Sequence, residues 1–322
     1  MAYGLWRLRL SMLGTLALVI GVSSLIISVL LSLIGAFSIL TMLSIVILFS
    51  IVQWLIAPYM INFMYKVKEV PYEQSPKLHT MVEEVAKSAN LPKPKVMYSP
   101  IKVPNAFAYG SPLGGSRVCI TQGLLDNLNE DEIKAVLGHE LGHLKHKDVQ
   151  IMMFVSVLPT LFYWLGYSMM WSSMFSGGRN RNGGNLVLIG LLSLAVYFVL
   201  NLLVLAFSRQ RELYADRHGA EVVENGAKRL SMALAKLDAY AHGMKRINPS
   251  SAKVSGFKSM LIMDPDSTSG INPRNLDDDS LLQNIASRKI STGERILGLF
   301  STHPNTVTRI KILLSIAKAN EY

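Results

Sequence analysis

Long apolar runs alternate with mixed segments along this chain. No charged residue lies between Arg9 and Lys66, and within that window residues 10–34 and 38–59 are almost wholly apolar. A membrane span needs about 20 apolar residues to cross roughly 30 Å of hydrocarbon, so the window predicts two spans joined by a tight Gly35-Ala36-Phe37 turn. A cleaved signal peptide has a shorter apolar core followed by polar chain; here another apolar run follows, which predicts retained helices. Residues 150–171 and 185–207 predict two more spans, with Trp164, Tyr167 and Trp171 near one end and the Gly/Ser/Asn-rich segment WSSMFSGGRNRNGGN between them. The remainder has soluble patterning. Ser75–Ala89 reads as a helix with Pro76 in its first turn and Leu78, Met81, Val82 and Val85 on one face. Lys95–Tyr98, Ala106–Tyr109 and Arg117–Thr121 are short, apolar and bounded by Pro and Gly, and read as strands. Asn129-x-x-Glu132 predicts a capping box opening a helix through at least His143. A helix should run out of the fourth span from Ser208 to about Ala241. Residues 245–280 lack periodicity and read as loop or partly disordered, and 281–319 return to helix. There is no internal repeat. The expected fold class is an α-helical membrane protein with four transmembrane helices and a mainly helical soluble part carrying a small β-sheet.

Composition agrees. Half of the 322 residues are apolar, 17% are charged and the mean hydropathy is +0.31, against roughly 25% charge in ordinary globular chains. Collagen-like and disordered classes are excluded. Cys119 is the single cysteine, which excludes a disulfide scaffold and fits a reducing compartment. A net charge of +10 and a pI near 9.6 would suit a nucleic-acid partner, but the charge is distributed by topology. Two basic residues precede the first span, 11 lie in 62–149, two lie between the third and fourth spans, and 17 lie in 208–322. Four spans place 30 of the 32 on one side, which the positive-inside rule assigns to the cytoplasm. The expected organisation is a two-span hairpin at 1–61, a cytoplasmic part at 62–149, a second hairpin at 150–207 and a second cytoplasmic part at 208–322. The expected localisation is a multi-pass plasma membrane protein with both termini cytoplasmic, in contact with the lipid bilayer and not with nucleic acid.

The chemistry sits in Gly138-His139-Glu140-Leu141-Gly142-His143. On a helix, positions i and i+4 share a face, so His139 and His143 can bind one zinc ion. Glu140 flanks the metal and can take a proton from water, the arrangement of metal-assisted hydrolysis. Gly138 and Gly142 lower helix propensity, which points to close approach of another backbone or a ligand, or to helix packing. Topology selects a third ligand. If the fourth span returns beside the third, its exit passes near the histidines, and the first carboxylate there is Glu212, five residues after Phe207. Asp216 lies one turn further on the same face and can orient an imidazole. The competing reading is a solvated face on which Arg209, Arg211 and Arg217 pair with both carboxylates.

GHELGHLKHKD, SRQRELYADRHGA, STHPNTVTRI and PNAFAYG together resemble the HtpX family of membrane zinc metallopeptidases, over nearly the whole chain. The resemblance implies that the two cytoplasmic parts together form a zincin-like catalytic domain, with one zinc ion per chain held by His139, His143 and Glu212, Glu140 as catalytic base, Asp216 behind the ligands, and a role in membrane-protein quality control acting on unfolded or damaged membrane proteins. CAAX prenyl proteases share the motifs but have more spans. In the family the late His-Pro pair approaches the active site, so His303 either stabilises an oxyanion or merely starts the helix Asn305–Ala319. Asn105, Ala106 and Phe107 either present a substrate-binding edge strand or pack beneath the zinc helix. His146 and Asp148 are assigned structural or membrane-surface roles, and His79, His218 and His242 surface or packing roles.

The leading function is a zinc endopeptidase at the cytoplasmic membrane surface. An intramembrane site-2-type protease is disfavoured by Glu130, Asp131, Glu132, Lys134, Lys145 and Lys147 around the motif, which are costly in hydrocarbon. A CAAX-like processing enzyme and a membrane adaptor with a vestigial metal site are further alternatives, and retention of Glu140 opposes the adaptor.

Overall fold

A computed structural model describes residues 39–175, 183–247 and 277–319. The expected first span and most of the 245–280 segment lie outside the described residues. In chain order the elements are α1 (Ile39–Met64), β1 (Lys68–Glu69), α2 (Pro76–Ser88), β2 (Lys95–Ser99), β3 (Ala106–Ser111), β4 (Gly115–Thr121), α3 (Gln122–Asn127), α4 (Glu130–Lys145), α5 (Asp148–Phe175), α6 (Gly183–Val222), α7 (Gly226–Ile247), α8 (Asp278–Ser287), α9 (Thr292–Gly298) and α10 (Thr306–Ala319). Among the described residues, three helices, α1, α5 and α6, are long and apolar enough to cross a membrane. The chain divides into two units, residues 1–53 with 151–204 and residues 54–150 with 205–322.

In the first unit, Val46 of α1 and Trp164 of α5 form a small buried cluster. Tyr163, Tyr167 and Trp171 stack along α5 at four-residue spacing, as the helical repeat requires.

The second unit is built on a four-stranded sheet of order β1-β2-β4-β3. β2 and β4 pair in parallel, while β3 and β4 form an antiparallel hairpin with Ala106 opposite Ile120 and Phe107 opposite Cys119. Side chains alternate between the faces of a strand, and here both faces are covered. Val96, Ala106, Val118 and Ile120 join the main core with α2, α4, α7, α8 and α10. Met97, Phe107, Tyr109 and Cys119 pack on the other face against Ile61, Tyr65 and Val67. β3 is left as an edge, which sets one side of the candidate site.

The zinc-motif helix α4 starts where its sequence requires. The Asn129 side chain accepts from the Glu132 amide and the Glu132 carboxylate accepts from the Asn129 amide, both at 2.9 Å; such a cap stabilises a helix by about 1 kcal/mol. Lys236 of α7 then reaches Glu132 at 2.8 Å, tying α4 to α7.

One helix expectation is corrected and one is refined. The helix expected to run from Ser208 to about Ala241 breaks at residues 223–225, where Asn225 takes a left-handed φ of 51°; the Asn225-Gly226 pair is a turn signal. The 281–319 segment, expected to return to helix, does so as three helices separated by non-helical residues at 288–291 and 299–305. The two-residue strand β1 and the short helix α3 have no counterpart in the sequence reading.

Candidate active site

His139 and His143 lie one turn apart on α4, and Glu212 faces them from α6. Their approach depends on glycine. A Cβ on Gly138 would lie 3.1 Å from Gly219 Cα, one on Gly142 would lie 3.2 Å from His218 Cβ, and one on Gly219 would lie 2.8 Å from the His139 amide nitrogen. Of the explanations for the two motif glycines, the structure realises close approach of another backbone through helix packing: α6 reaches the pair because no side chain separates the backbones.

One donor atom from each of His139, His143 and Glu212 lies within 4.8 Å of the others. His139 Nε2 and His143 Nε2 are 3.2 Å apart, with Glu212 Oε1 3.4 Å from His143 Nε2 and Glu212 Oε2 3.7 Å from His139 Nε2. Four-coordinate zinc with bonds of roughly 2.0–2.1 Å separates its ligand atoms by about 3.3 Å, so the cluster has the size of a zinc site. Its protonation fits too. His143 Nδ1 is 2.7 Å from Asp148 Oδ2, and His139 Nδ1 is 2.9 Å from Asp216 Oδ1. A carboxylate can only accept, so each Nδ1 carries the proton and each Nε2 keeps its lone pair. Two lone pairs turned toward each other and toward a carboxylate suit a cation between them.

Each supporting carboxylate has an arginine behind it. Arg309 of α10, 1% exposed, donates from Nε to Asp216 Oδ2 at 2.8 Å and from Nη2 to Asp216 Oδ1 at 2.6 Å. Arg211 pairs with Asp148 and donates to the His146 carbonyl at 3.0 Å. Burial alone would raise Asp216, but Arg309, helped by His139, brings its pKa down to about 2. Burial would likewise raise Glu212; His303, His143 and His139 hold it well below the ordinary carboxylate range. Both carboxylates therefore stay anionic beside the imidazoles.

Glu140 is buried differently. Burial pushes its carboxyl up and Glu212 adds to this, against the pull of His139, His143 and the Ala108 amide. That amide, on the edge strand β3, donates to Glu140 Oε2 at 2.9 Å. The Asn105–Phe107 segment is thus beside the site, with the Ala106 and Phe107 side chains packed into the two cores. Asn105 exchanges hydrogen bonds with Thr121 through its backbone, Ala106 is in the main core, and Phe107 packs on Tyr65 and Tyr109.

His303 lies with Nδ1 3.0 Å from Glu212 Oε2. The helix-start reading of His303 is corrected: the Asn305 side chain accepts from the Val307 amide at 2.9 Å and opens α10. Of the two roles expected for Asp148, structural or membrane-surface, the surface one is corrected: the residue is buried and partners His143. His146 packs edge-on against His218 and Tyr214. His79 Nε2 donates to the Val70 carbonyl oxygen at 2.8 Å. The three arginines weighed as partners for Glu212 and Asp216 go elsewhere: Arg209 to the Leu299 and Ser301 carbonyls, Arg211 to Asp148, and Arg217 to Glu221. Arg309, 93 residues from Asp216, was not among the sequence candidates; the TRI tail of STHPNTVTRI was its one signal.

Residues 72–317 match peptidase family M48. The chain belongs to peptidase family M48. A protease HtpX homolog of Thermoplasma acidophilum is 39% identical over 288 residues, covering 87% of this chain and 86% of its own. Those of Picrophilus torridus and Aeropyrum pernix are each 37% identical, over 86% and 83% of this chain and 85% and 83% of their own. The resemblance to HtpX proteases in the motifs therefore extends along most of the sequence, and this M48 member is a membrane-bound metallopeptidase. The crystal structure of S. mikatae Ste24p shares the fold, with a TM-score of 0.59 at 17% identity over 96% of this chain and 66% of that one.

Proposed function

We propose that this protein is a zinc endopeptidase that cuts unfolded or damaged membrane proteins at the cytoplasmic surface of the membrane. His139, His143 and Glu212 would hold a zinc ion, which would supply a Lewis acid for the scissile carbonyl. Glu140 is the general base: its carboxyl takes a proton from the attacking water and delivers it to the leaving amine. The pKa raised by burial suits both halves of that task. Asp216 and Asp148 keep the two imidazoles in the metal-binding tautomer. In its imidazolium form His303, with Nδ1–H on Glu212, has a second N–H at Nε2 to donate to the developing oxyanion. The substrate adds as a strand along β3, held through its backbone, so that side-chain preference is weak.

The observation that carries the reading is the convergence of two lone-pair imidazole nitrogens and one carboxylate at zinc-ligand spacing, with a buried glutamate next to them. The cytoplasmic orientation rests on the 30-to-2 split of basic residues. The four-part division at 1–61, 62–149, 150–207 and 208–322 follows from the same topology. Charged residues flanking the motif support cleavage outside the hydrocarbon. Mapping the cuts on a reconstituted multispan substrate tests the reading. Cuts should fall in cytoplasmic loops and tails. Cuts at span centres would overturn the surface model in favour of an intramembrane protease.

A further inference from the structure

Helix α9 has no buried residue. Ile296, Leu297, Leu299 and Phe300, on this helix and the turn after it, are 55%, 46%, 51% and 51% exposed. Four large apolar side chains within five residues form the kind of patch that soluble surfaces rarely leave bare. The segment is nevertheless held in place. At its start, Ser291 and Glu294 form a reciprocal cap and Arg288 pairs with Glu294. At its end, Arg209 Nη1 donates to the Leu299 carbonyl at 3.0 Å and the Ser301 carbonyl at 2.9 Å.

The identity of that anchor matters. Arg209 is the first charged residue after Arg181, the point at which α6 turns from an apolar span to a charged helix. A tip held by Arg209 is therefore tied to the residue at which its own chain leaves hydrocarbon. Exposed Lys289 and Arg295 give the tip a cationic rim. Apolar side chains flanked by cations are the composition that settles in an anionic lipid interface.

We propose that residues 296–300 form a wedge that inserts into the interfacial layer of the bilayer crossed by the chain's own helices, with Lys289 and Arg295 on anionic headgroups. Phe300 precedes His303 by three residues, so the wedge holds the His303 segment at the lipid surface. The inference rests on the chain being a membrane protein and is independent of which residues perform hydrolysis.

The test uses full-length Glu140→Gln protein, so that it needs no peptidase activity. Cys119 is fully buried and stays unlabelled. An environment-sensitive fluorophore is placed at Leu297→Cys, at Phe300→Cys and, as control, at the exposed Ser88→Cys on α2. The proteins are reconstituted in phosphatidylcholine vesicles with and without phosphatidylglycerol. The wedge predicts blue-shifted emission at 297 and 300, quenched by lipid carrying a nitroxide near the headgroup, with the quenching weakened when phosphatidylglycerol is omitted and absent at 88. Quenching at 297 and 300 no stronger than at 88 overturns the proposal. A blue shift that appears only on adding unfolded casein also overturns it and assigns the patch to substrate.

Discussion

The two histidines of the candidate site stand on parallel supports that differ in depth. His139 leads to Asp216 and then Arg309; His143 leads to Asp148 and then Arg211. The first relay is sealed, with Asp216 and Arg309 side chains each 1% exposed, and it joins α4, α6 and the late helix α10. The second is shallower, with Asp148 at 10% and Arg211 at 18%, and it is built across the turn that follows α4. The same chemistry thus does two jobs. Both relays set an imidazole tautomer, but the sealed one also binds the C-terminal helix to the site, since a buried charge cannot be left unpaired.

The sharpest way to break this comparison is to remove each arginine. Arg309→Leu strands Asp216 in the interior and should destabilise the protein by about 3–5 kcal/mol. Arg211→Leu leaves Asp148 with partial access to water and should cost roughly 1–3 kcal/mol. Arg309→Lys should rescue poorly, because a single ammonium cannot reproduce the two-pronged contact with Asp216. Unfolding in detergent followed by heat or denaturant measures all three, and equal losses for the two leucine variants would show that depth does not distinguish the relays.

Removing the carboxylates sharpens the comparison at the metal. Asp216→Asn and Asp148→Asn should each weaken zinc binding by roughly 10–100-fold, the usual range for groups that orient a ligating histidine, with Asp216→Asn the larger loss. Zinc titration against a competing chelator reads this directly. Unchanged affinity in both variants would mean that the carboxylates support the fold and not the metal.

The smallest effect lies beside the relays. Burial, with Lys145 and His146 adding, lowers the pKa of His218 from 6.5 to about 4. Its neutral form is favoured in the folded state, so the unfolded chain binds the extra proton first. Stability should therefore fall as pH drops below 6.5 and continue to fall toward 4. His218→Asn should match the parent's pH profile near neutrality and lose that acid slope. A slope unchanged in His218→Asn would assign the acid sensitivity to other groups.

The parts of this arrangement readable in the sequence were those with local geometry. His139 and His143 announce themselves by i, i+4 spacing, and Glu212 by its position at the exit of an apolar run. The strands and the Asn129 cap are short-range patterns of the same kind. The relays were hidden because their closing contacts are not local. Arg309 meets Asp216 across 93 residues, and the TRI tail of the late motif does not say which carboxylate it will meet. Asp148 follows the motif closely, yet a carboxylate next to a span reads as a boundary residue until the turn after α4 folds it back onto His143. The break at Asn225-Gly226 did carry a local signal, but the helical periodicity on both sides overrode it. The exposed face of α9 was invisible for the opposite reason: Ile296, Leu297, Leu299 and Phe300 have the spacing of a buried stripe, and only the fold reveals that they stand about half exposed.

Both relays serve one claim, that a zinc ion held by His139, His143 and Glu212 works with Glu140 as the base. Zinc content and casein hydrolysis, measured together on purified wild-type and Glu140→Gln protein, test it most directly. The variant should retain one zinc per chain, because its ligands are intact, while hydrolysis falls on the order of 10²–10⁴-fold, the usual contribution of a general base. Near-native hydrolysis by zinc-loaded Glu140→Gln, with no contaminating protease, would contradict the account.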